Sequence, residues 1–284
     1  MHAQIIDIDY QEKPHNGFLL ASDLHIGSKG HDIDLCRAEF DKAVSHGYQI
    51  LINGDWGEFI ISGDRKRYHP GGDKYNTDNP INRTIDEAVE FLTPYAKSIV
   101  FIGHGNHEVS VSKFHGLDVT QSLIALLNHK TGSNIKHGQY RGMVRFQFHQ
   151  GKNGKRCSVT MAYNHGQGAS AEITRGAIGL NRMMTSYDAQ IFWTGHSHTK
   201  LCLPCENVVA MSANGDIITK ERKGIVTGAY VKTVHAYDAQ AEGYGISYGE
   251  ERMRTIQSTG GYFLTFDAHR SGNDITIKTR VVEP

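Results

Sequence analysis

The feature that most constrains this chain is a recurrence: five short apolar runs, each ending on side chains of the kind that bind metal. GFLLAS at 17–22 runs into Asp23-Leu24-His25, and QILIN at 49–53 into Gly54-Asp55. SIVFIG at 98–103 is followed by His104-Gly105-Asn106-His107-Glu108, SVTMAYN at 158–164 by His165-Gly166, and QIFWT at 190–194 by Gly195-His196-Ser197-His198. Continuous apolar runs of this length suit strands buried on both faces. Between them lie stretches with helical spacing, so the chain reads as α/β.

The helices are predicted over Ile33 to His46, Arg83 to Ala96, Val119 to His129 and Ser170 to Met184, with Gly132 suited to closing the third. The second half is richer in strands. MVRFQFH at 143–149 alternates with period two, GKNGK at 151–155 suits a hairpin turn, and RCSVTMAYN at 156–164 returns. LCLPCENVVAM, GIVTGAY, GYFLTFDA and DITIKTRVV complete the set. No proline-rich linker divides the halves, so one domain over 1–284 is expected, with two packed sheets. Two long irregular stretches, at about 60–82 and 230–260, exceed the usual length of structureless connections and suit binding loops or lids.

Composition removes several classes. Lys+Arg and Asp+Glu both count 30 in 284 residues, so no broad basic face is available for nucleic acid, and any such contact must be local. The first residues lack a basic start followed by a long apolar run, and no stretch approaches a membrane span. A soluble, cytoplasmic protein is therefore expected. Four cysteines are too few and too scattered for a disulfide scaffold. Cys202 and Cys205 have C-x-x-C spacing, but a structural zinc normally needs a second pair, and they are expected on a strand edge.

If the five strands are largely parallel, their C-terminal ends share one edge of one sheet, where open α/β sheets bind ligands. Asp23 and His25, like His196 and His198, are two residues apart and point to one side of an extended chain. Imidazole with carboxylate suits Mn, Fe, Ni or Zn better than Ca or Mg. One carboxylate bridging two cations would hold them about 3.5–4 Å apart, as two-metal phosphatases and nucleases do. Two divalent ions offset by Asp23, Asp55 and one hydroxide keep a net positive charge, which attracts an anionic ester.

D-x-H, G-D-x-x-E, G-N-H-E, H-G and G-H-x-H, in this order over roughly 17–200, resemble the calcineurin-like metallophosphoesterase superfamily. The resemblance implies a β-sandwich of two mixed sheets flanked by helices. It implies that Asp23, His25, Asp55 and His198 hold one metal, and that Asp55, Asn106, His165 and His196 hold the other. Two divalent transition ions are expected, manganese first, with iron, zinc or nickel as alternatives. His107 looks like the family histidine that protonates the leaving oxygen after attack by a metal-bridging hydroxide. Glu58, three residues past Asp55, is the candidate carboxylate to orient it.

One departure narrows the substrate. Ser/Thr phosphatases of the superfamily carry G-D-x-x-D-R, whereas this chain has Gly54-Asp55-Trp56-Gly57-Glu58-Phe59. The missing arginine would bind a dianionic monoester, so a phosphodiesterase or nuclease is expected ahead of a phosphomonoesterase. A non-catalytic scaffold would be expected to have lost ligands that are all present here. Arg65, Arg67 and Tyr68, in the loop after the Asp55 motif, combine charge and aromatic surface suited to DNA, RNA or a nucleotide.

Overall fold

The computed structural model describes residues 1–9, 16–61, 78–149, 156–166, 174–212, 214–232, 258–271 and 274–284. Among the described residues, twelve strands form two six-stranded sheets. Sheet one contains β2 (Asn16–Ala21), β3 (Gln49–Ile52), β4 (Ile99–Gly103), β5 (Lys136–Gln139), β11 (Tyr262–Ser271) and β12 (Asp274–Val282), in the order β12-β11-β2-β3-β4-β5. Strands β2 to β5 are parallel, while β11 runs antiparallel to both β2 and β12. Sheet two contains β1 (His2–Asp9), β6 (Arg141–His149), β7 (Arg156–Asn164), β8 (Ile191–Thr194), β9 (Leu201–Met211) and β10 (Ile217–Val226), in the order β1-β6-β7-β8-β10-β9. It too is mixed, with β7, β8 and β10 parallel. The expected α/β sandwich is the observed one.

Alternation along the strands explains the layering. Phe18 and Leu20 of β2 face the second sheet, where they join Phe101, Phe146, Met161, Tyr163 and Trp193 in the inter-sheet core. Leu19 and Ala21 point the other way, into a core shared with the helices. Successive strand residues face opposite sides, and here both sides are apolar because both are covered. The Phe101 and Tyr163 rings stack across the sandwich at 4.9 Å.

Helices α1 (Ile33–Ser45), α2 (Pro80–Leu92) and α4 (Val119–Thr131) cover sheet one, and α5 (Ala177–Ser186) covers sheet two. Asp32 and Asp118 cap α1 and α4 by accepting backbone N–H bonds from Leu35 and Gln121. Gly132 ends α4 in the left-handed conformation, as expected. Pro80 starts α2 three residues earlier than its apolar spacing suggests, and a 3-10 turn at Thr93–Tyr95 replaces its predicted end. Of the fourth predicted helix, the described residues form Ala177–Ser186 behind a left-handed Gly176, and its expected start at Ser170 lies outside the described residues. Strands β1 and β5 and helix α3 (Asn106–His115) were not foreseen. The residues of β1 alternate and those of β5 are polar, so neither shows a continuous apolar run. The GKNGK turn falls outside the described residues, but its flanks β6 and β7 pair antiparallel as a hairpin requires. Strand β9 lies at the edge of sheet two, with Cys202 exposed. Among the described residues no helix is long and apolar enough to cross a membrane.

Candidate metal centre

The ligand-type residues do not share one edge of one sheet. Asp23, Asp55 and Asn106 follow β2, β3 and β4 of sheet one, whereas His165 and His196 follow β7 and β8 of sheet two. The expectation of a single edge is thus corrected: the site sits where two sheet edges meet. Hydrogen bonds join them there. Asn53 donates through its side chain to the Asn164 carbonyl at 3.2 Å, and the backbone N–H of His196 donates to Asp23 Oδ2 at 2.9 Å. A parallel run of strands and a packed pair of sheets leave the same local apolar pattern, so periodicity could not distinguish them.

The backbone at these positions is unusual. Asp23, His25, Asp55, His196 and His198 all have φ between 46° and 65°. A non-glycine residue held there costs roughly 1–3 kcal/mol and persists only where its surroundings over-determine it. The chain reverses sharply out of each strand, and the side chains are thrown back toward one another. Gly105 shows how close the packing is: a Cβ there would lie 2.2 Å from Asp55 Oδ1 and 2.5 Å from His165 Nε2.

Two pockets result. In the first, Asp23, His25 and His198 each offer a ligand atom within 4.8 Å of the others. His198 Nε2 is 3.4 Å from Asp23 Oδ1 and 3.1 Å from His25 Nε2. In the second, Asp55, His165 and His196 meet the same limit, with His165 Nε2 3.1 Å from Asp55 Oδ2. Asn106 opens α3, whose next residue, His107, donates its backbone N–H to Asp55 Oδ1 at 3.0 Å.

The donor set fits divalent cations. Asn106 Oδ1 and His165 Nε2 are buried without a hydrogen-bond partner, and such orphaned atoms are costly unless something satisfies them. His165 Nδ1 gives its proton to the Asn53 carbonyl at 2.7 Å, which leaves a lone pair on Nε2 facing a carboxylate oxygen. His25 Nδ1 gives its proton to Glu58 Oε2 at 2.8 Å, which likewise turns a lone pair toward His198. Lone pairs facing one another at these separations repel unless a cation lies between them. Ligand bonds of about 2.0–2.2 Å place neighbouring ligand atoms roughly 3–3.4 Å apart, the spacing seen here.

Protons compensate in the metal-free chain. Burial opposes charging His25, but the Glu58 carboxylate, helped by Asp55 and Asp23, holds its pKa up at about 9. His165 is likewise penalised by burial and held at about 10 by Asp55 and Asp23. Burial would raise the pKa of Asp23, but His198 and His165 bring it down to about 2. Asp55 also stays well below the usual carboxylate range against the effect of burial, through His165, His107 and His25.

Glu58 stands between two histidines. Its carboxylate accepts from His25 Nδ1, its main-chain carbonyl accepts from His107 Nδ1, and a carboxylate oxygen lies within 4.8 Å of a His107 ring nitrogen. The cause is a short parallel bridge between Ile26 and Gly57, with Glu58 N–H bonded to the Ile26 carbonyl at 2.9 Å. This aligns the segment after Asp55 with the one after Asp23 and sets Glu58 beside His25. His107 is 8% exposed, edge-on to His25 at 4.8 Å, with Nε2 4.0 Å from Asp55 Oδ2. Phe59, at the arginine position of the Ser/Thr phosphatases, is buried edge-on against Trp56 at 4.9 Å. Arg65, Arg67 and Tyr68 lie outside the described residues.

Glu108 was quoted within a motif but given no task by sequence reasoning. It is buried and accepts backbone N–H bonds from Asp55, Gly57 and Gly105, so one carboxylate ties the Asp55 loop to the start of α3. Burial, then Asp55, pushes its pKa up, while the bonds from Gly57 and Gly105 favour the charged form. The third-position glutamate of a capping box was the available signal. A further trio, His104, Asp118 and His137, also lies within 4.8 Å. There Gln139 donates its N–H to His137 Nδ1 at 3.0 Å, so Nε2, 3.4 Å from Asp118 Oδ2, carries the ring proton and offers no lone pair to a metal.

Fold and site together define an α/β sandwich with a two-pocket histidine–carboxylate centre at its edge. No family model matches the chain, and no curated protein matches it. Solved structures similar to it include a metallophosphoesterase from Sphaerobacter thermophilus, at 15% identity over 94% of this chain and 88% of that one, with a TM-score of 0.34. A Streptococcus pneumoniae protein described as a predicted phosphoesterase is 11% identical over 94% of this chain and 98% of that one, with a TM-score of 0.33. Vacuolar Protein Sorting 29 from Cryptosporidium parvum is 12% identical over 95% and 99%, also at 0.33.

Proposed function

We propose that this chain is a calcineurin-like metallophosphoesterase that hydrolyses phosphodiesters, with single-stranded nucleic acid or a nucleotide as the substrate class. The observation that carries the proposal is the pair of adjoining pockets, His165 Nε2 of one being 4.0 Å from Asp23 Oδ1 of the other, with His107 Nε2 4.0 Å from Asp55 Oδ2. Asp23, His25, His198 and Asp55 would hold one divalent ion, and Asp55, Asn106, His165 and His196 a second, manganese being the first choice. Such ions supply Lewis-acid polarisation of phosphoryl oxygens and an acidified water as nucleophile near neutral pH.

The chain's own residues do the rest. The Glu58 carbonyl engages His107 Nδ1, which orients the ring and leaves Nε2 to carry the transferable proton. From Nε2, His107 protonates the departing alkoxide as a general acid. Asp55 takes the His107 N–H on Oδ1, which holds the acid and the shared carboxylate in fixed relation. Phe59 supports the diester preference, because a buried phenylalanine offers no cation to a dianionic monoester.

Paired assays with an aryl phosphodiester, the matching monoester and single-stranded DNA, all with added manganese, test the reading. Turnover of the diester ahead of the monoester is expected. Turnover of the monoester alone would replace it with a phosphomonoesterase.

A further inference from the structure

Behind the first pocket lies a chain of buried donors. Ser22 donates its hydroxyl to Asp23 Oδ2 at 2.5 Å, and Ser22 Oγ lies 2.7 Å from Thr227 Oγ1. Trp193 Nε1 donates to Thr227 Oγ1 at 3.0 Å. Trp193, Thr227, Ser22 and Asp23 are all 0% exposed. Chemistry sets the direction. An indole N–H can only donate and an ionised carboxylate can only accept. Ser22 has one proton and spends it on Asp23, so Thr227 donates to Ser22 in preference to the Thr194 carbonyl, which is farther away at 3.2 Å. The order is Trp193 to Thr227 to Ser22 to Asp23.

The relay crosses the sandwich. Trp193 is in β8 and Thr227 directly follows β10, both of sheet two, while Ser22 directly follows β2 of sheet one. At its end Asp23 Oδ2 accepts from Ser22 and from the His196 backbone N–H at 2.9 Å, a donor it shares with Oδ1 at 3.1 Å, while Oδ1 lies 3.4 Å from His198 Nε2. The space is closed as well. A Cβ on Gly195 would lie 2.4 Å from Ser22 Oγ and 2.7 Å from Asp23 Oδ2, so nothing larger than glycine leaves the relay in place.

We propose that Ser22 and Thr227 are positioning residues that make Asp23 a one-oxygen ligand, and so set both the affinity of the first pocket and its preference for small transition ions over calcium. The Ser22 hydroxyl occupies Oδ2 alone, so Oδ1, which only shares the His196 N–H, is the oxygen left for a cation. Calcium needs six to eight oxygen ligands and often fills that shell by taking both oxygens of a carboxylate, whereas smaller ions are content with one oxygen from each. Without the relay, Asp23 is free to turn and offer both. The proposal rests on the reading of the site as a metal centre, but not on the reaction it performs.

Calorimetric titration of the metal-free full-length chain with Mn²⁺, then with Ca²⁺, tests this. The wild-type chain is expected to show two classes of Mn²⁺ site. Ser22→Ala is expected to weaken one class about 10–100-fold, the usual effect of removing a partner that orients a ligand, to leave the other class unchanged and to narrow the Mn²⁺ over Ca²⁺ preference. Thr227→Val should shift the same class by less, and Thr227→Ser should restore it. Thr227→Val carries the test if Ser22→Ala does not fold, as judged by circular dichroism. Wild-type affinities and selectivity in a folded Ser22→Ala or Thr227→Val chain, with only a lowered Tm, would overturn the proposal and leave a purely structural role. Two Mn²⁺ sites with the relay effect but no phosphoester turnover would remove the proposed function and leave the relay standing.

Discussion

The two pockets use the same kinds of side chain yet differ in what stands behind them. In the first, His25 is backed by the Glu58 carboxylate and Asp23 by the hydroxyl relay. In the second, His165 is backed by the neutral Asn53 carbonyl, and Asp55 by a backbone N–H at the start of α3. Burial does not separate them: each has two buried ligands and one partly exposed histidine, His198 in the first and His196 in the second. A carboxylate behind a ligating imidazole raises its basicity, and a carbonyl does so less. Ligand identity is therefore an incomplete description of either pocket. The charge and the donors behind the ligands make the two unequal.

The comparison has a shared element, Asp55, and its removal is the severest test. Asp55→Asn should lower activity by at least about 10³-fold and deplete both ions, as read by elemental analysis of the purified chain. Loss from one pocket only would show that Asp55 is not common to both. His107→Gln should lower kcat by about 10²–10⁴-fold with metal content unchanged, and by less for aryl esters whose leaving group needs no proton. An equal loss for all leaving groups would remove His107 as the acid.

Glu58→Gln separates the pockets. It should weaken Mn²⁺ binding about 10–100-fold at the first site and spare the second, measured by calorimetry. A loss confined to kcat would instead return Glu58 to the role of orienting His107.

The smallest effect is pH-dependent. His25 and His165, at about 9 and about 10, have pKa values raised above the ordinary 6.5. Their contribution to the stability of the metal-free chain is thus fully present below pH 6.5 and is lost as pH rises through 9 to 10. Metal needs the neutral rings, so loading at pH 7 should release protons, and affinity should rise with pH until each ring is neutral. Tm of the metal-free chain should fall over that window while the loaded chain changes less. Heats of binding in buffers of different ionisation enthalpy count the protons, and none released would contradict the proton-for-metal exchange.

Much of the fold was legible because its signals are local. Strands β2, β3, β4, β7 and β8 are continuous apolar runs, and α1 and α4 carry their caps in Asp32, Asp118 and Gly132. Strand β5 is polar and four residues long, and α3 begins within the ligand motif itself, so neither had a periodic pattern to read. Within the site, ligand-type residues at strand ends were visible because each sits next to its own strand in sequence.

By itself, then, the sequence determined which side chains would leave the strands at their C-terminal ends. Only the tertiary structure decided that those ends belong to two sheets, that Glu58 serves His25, and that Thr227 stands behind Ser22, 205 residues away. The physical reason is range. Burial and periodicity act over a few residues and are written into each segment. The partner behind a ligand depends on how separate segments come to lie side by side, which here meant a one-residue bridge at Ile26 and Gly57 and five left-handed turns.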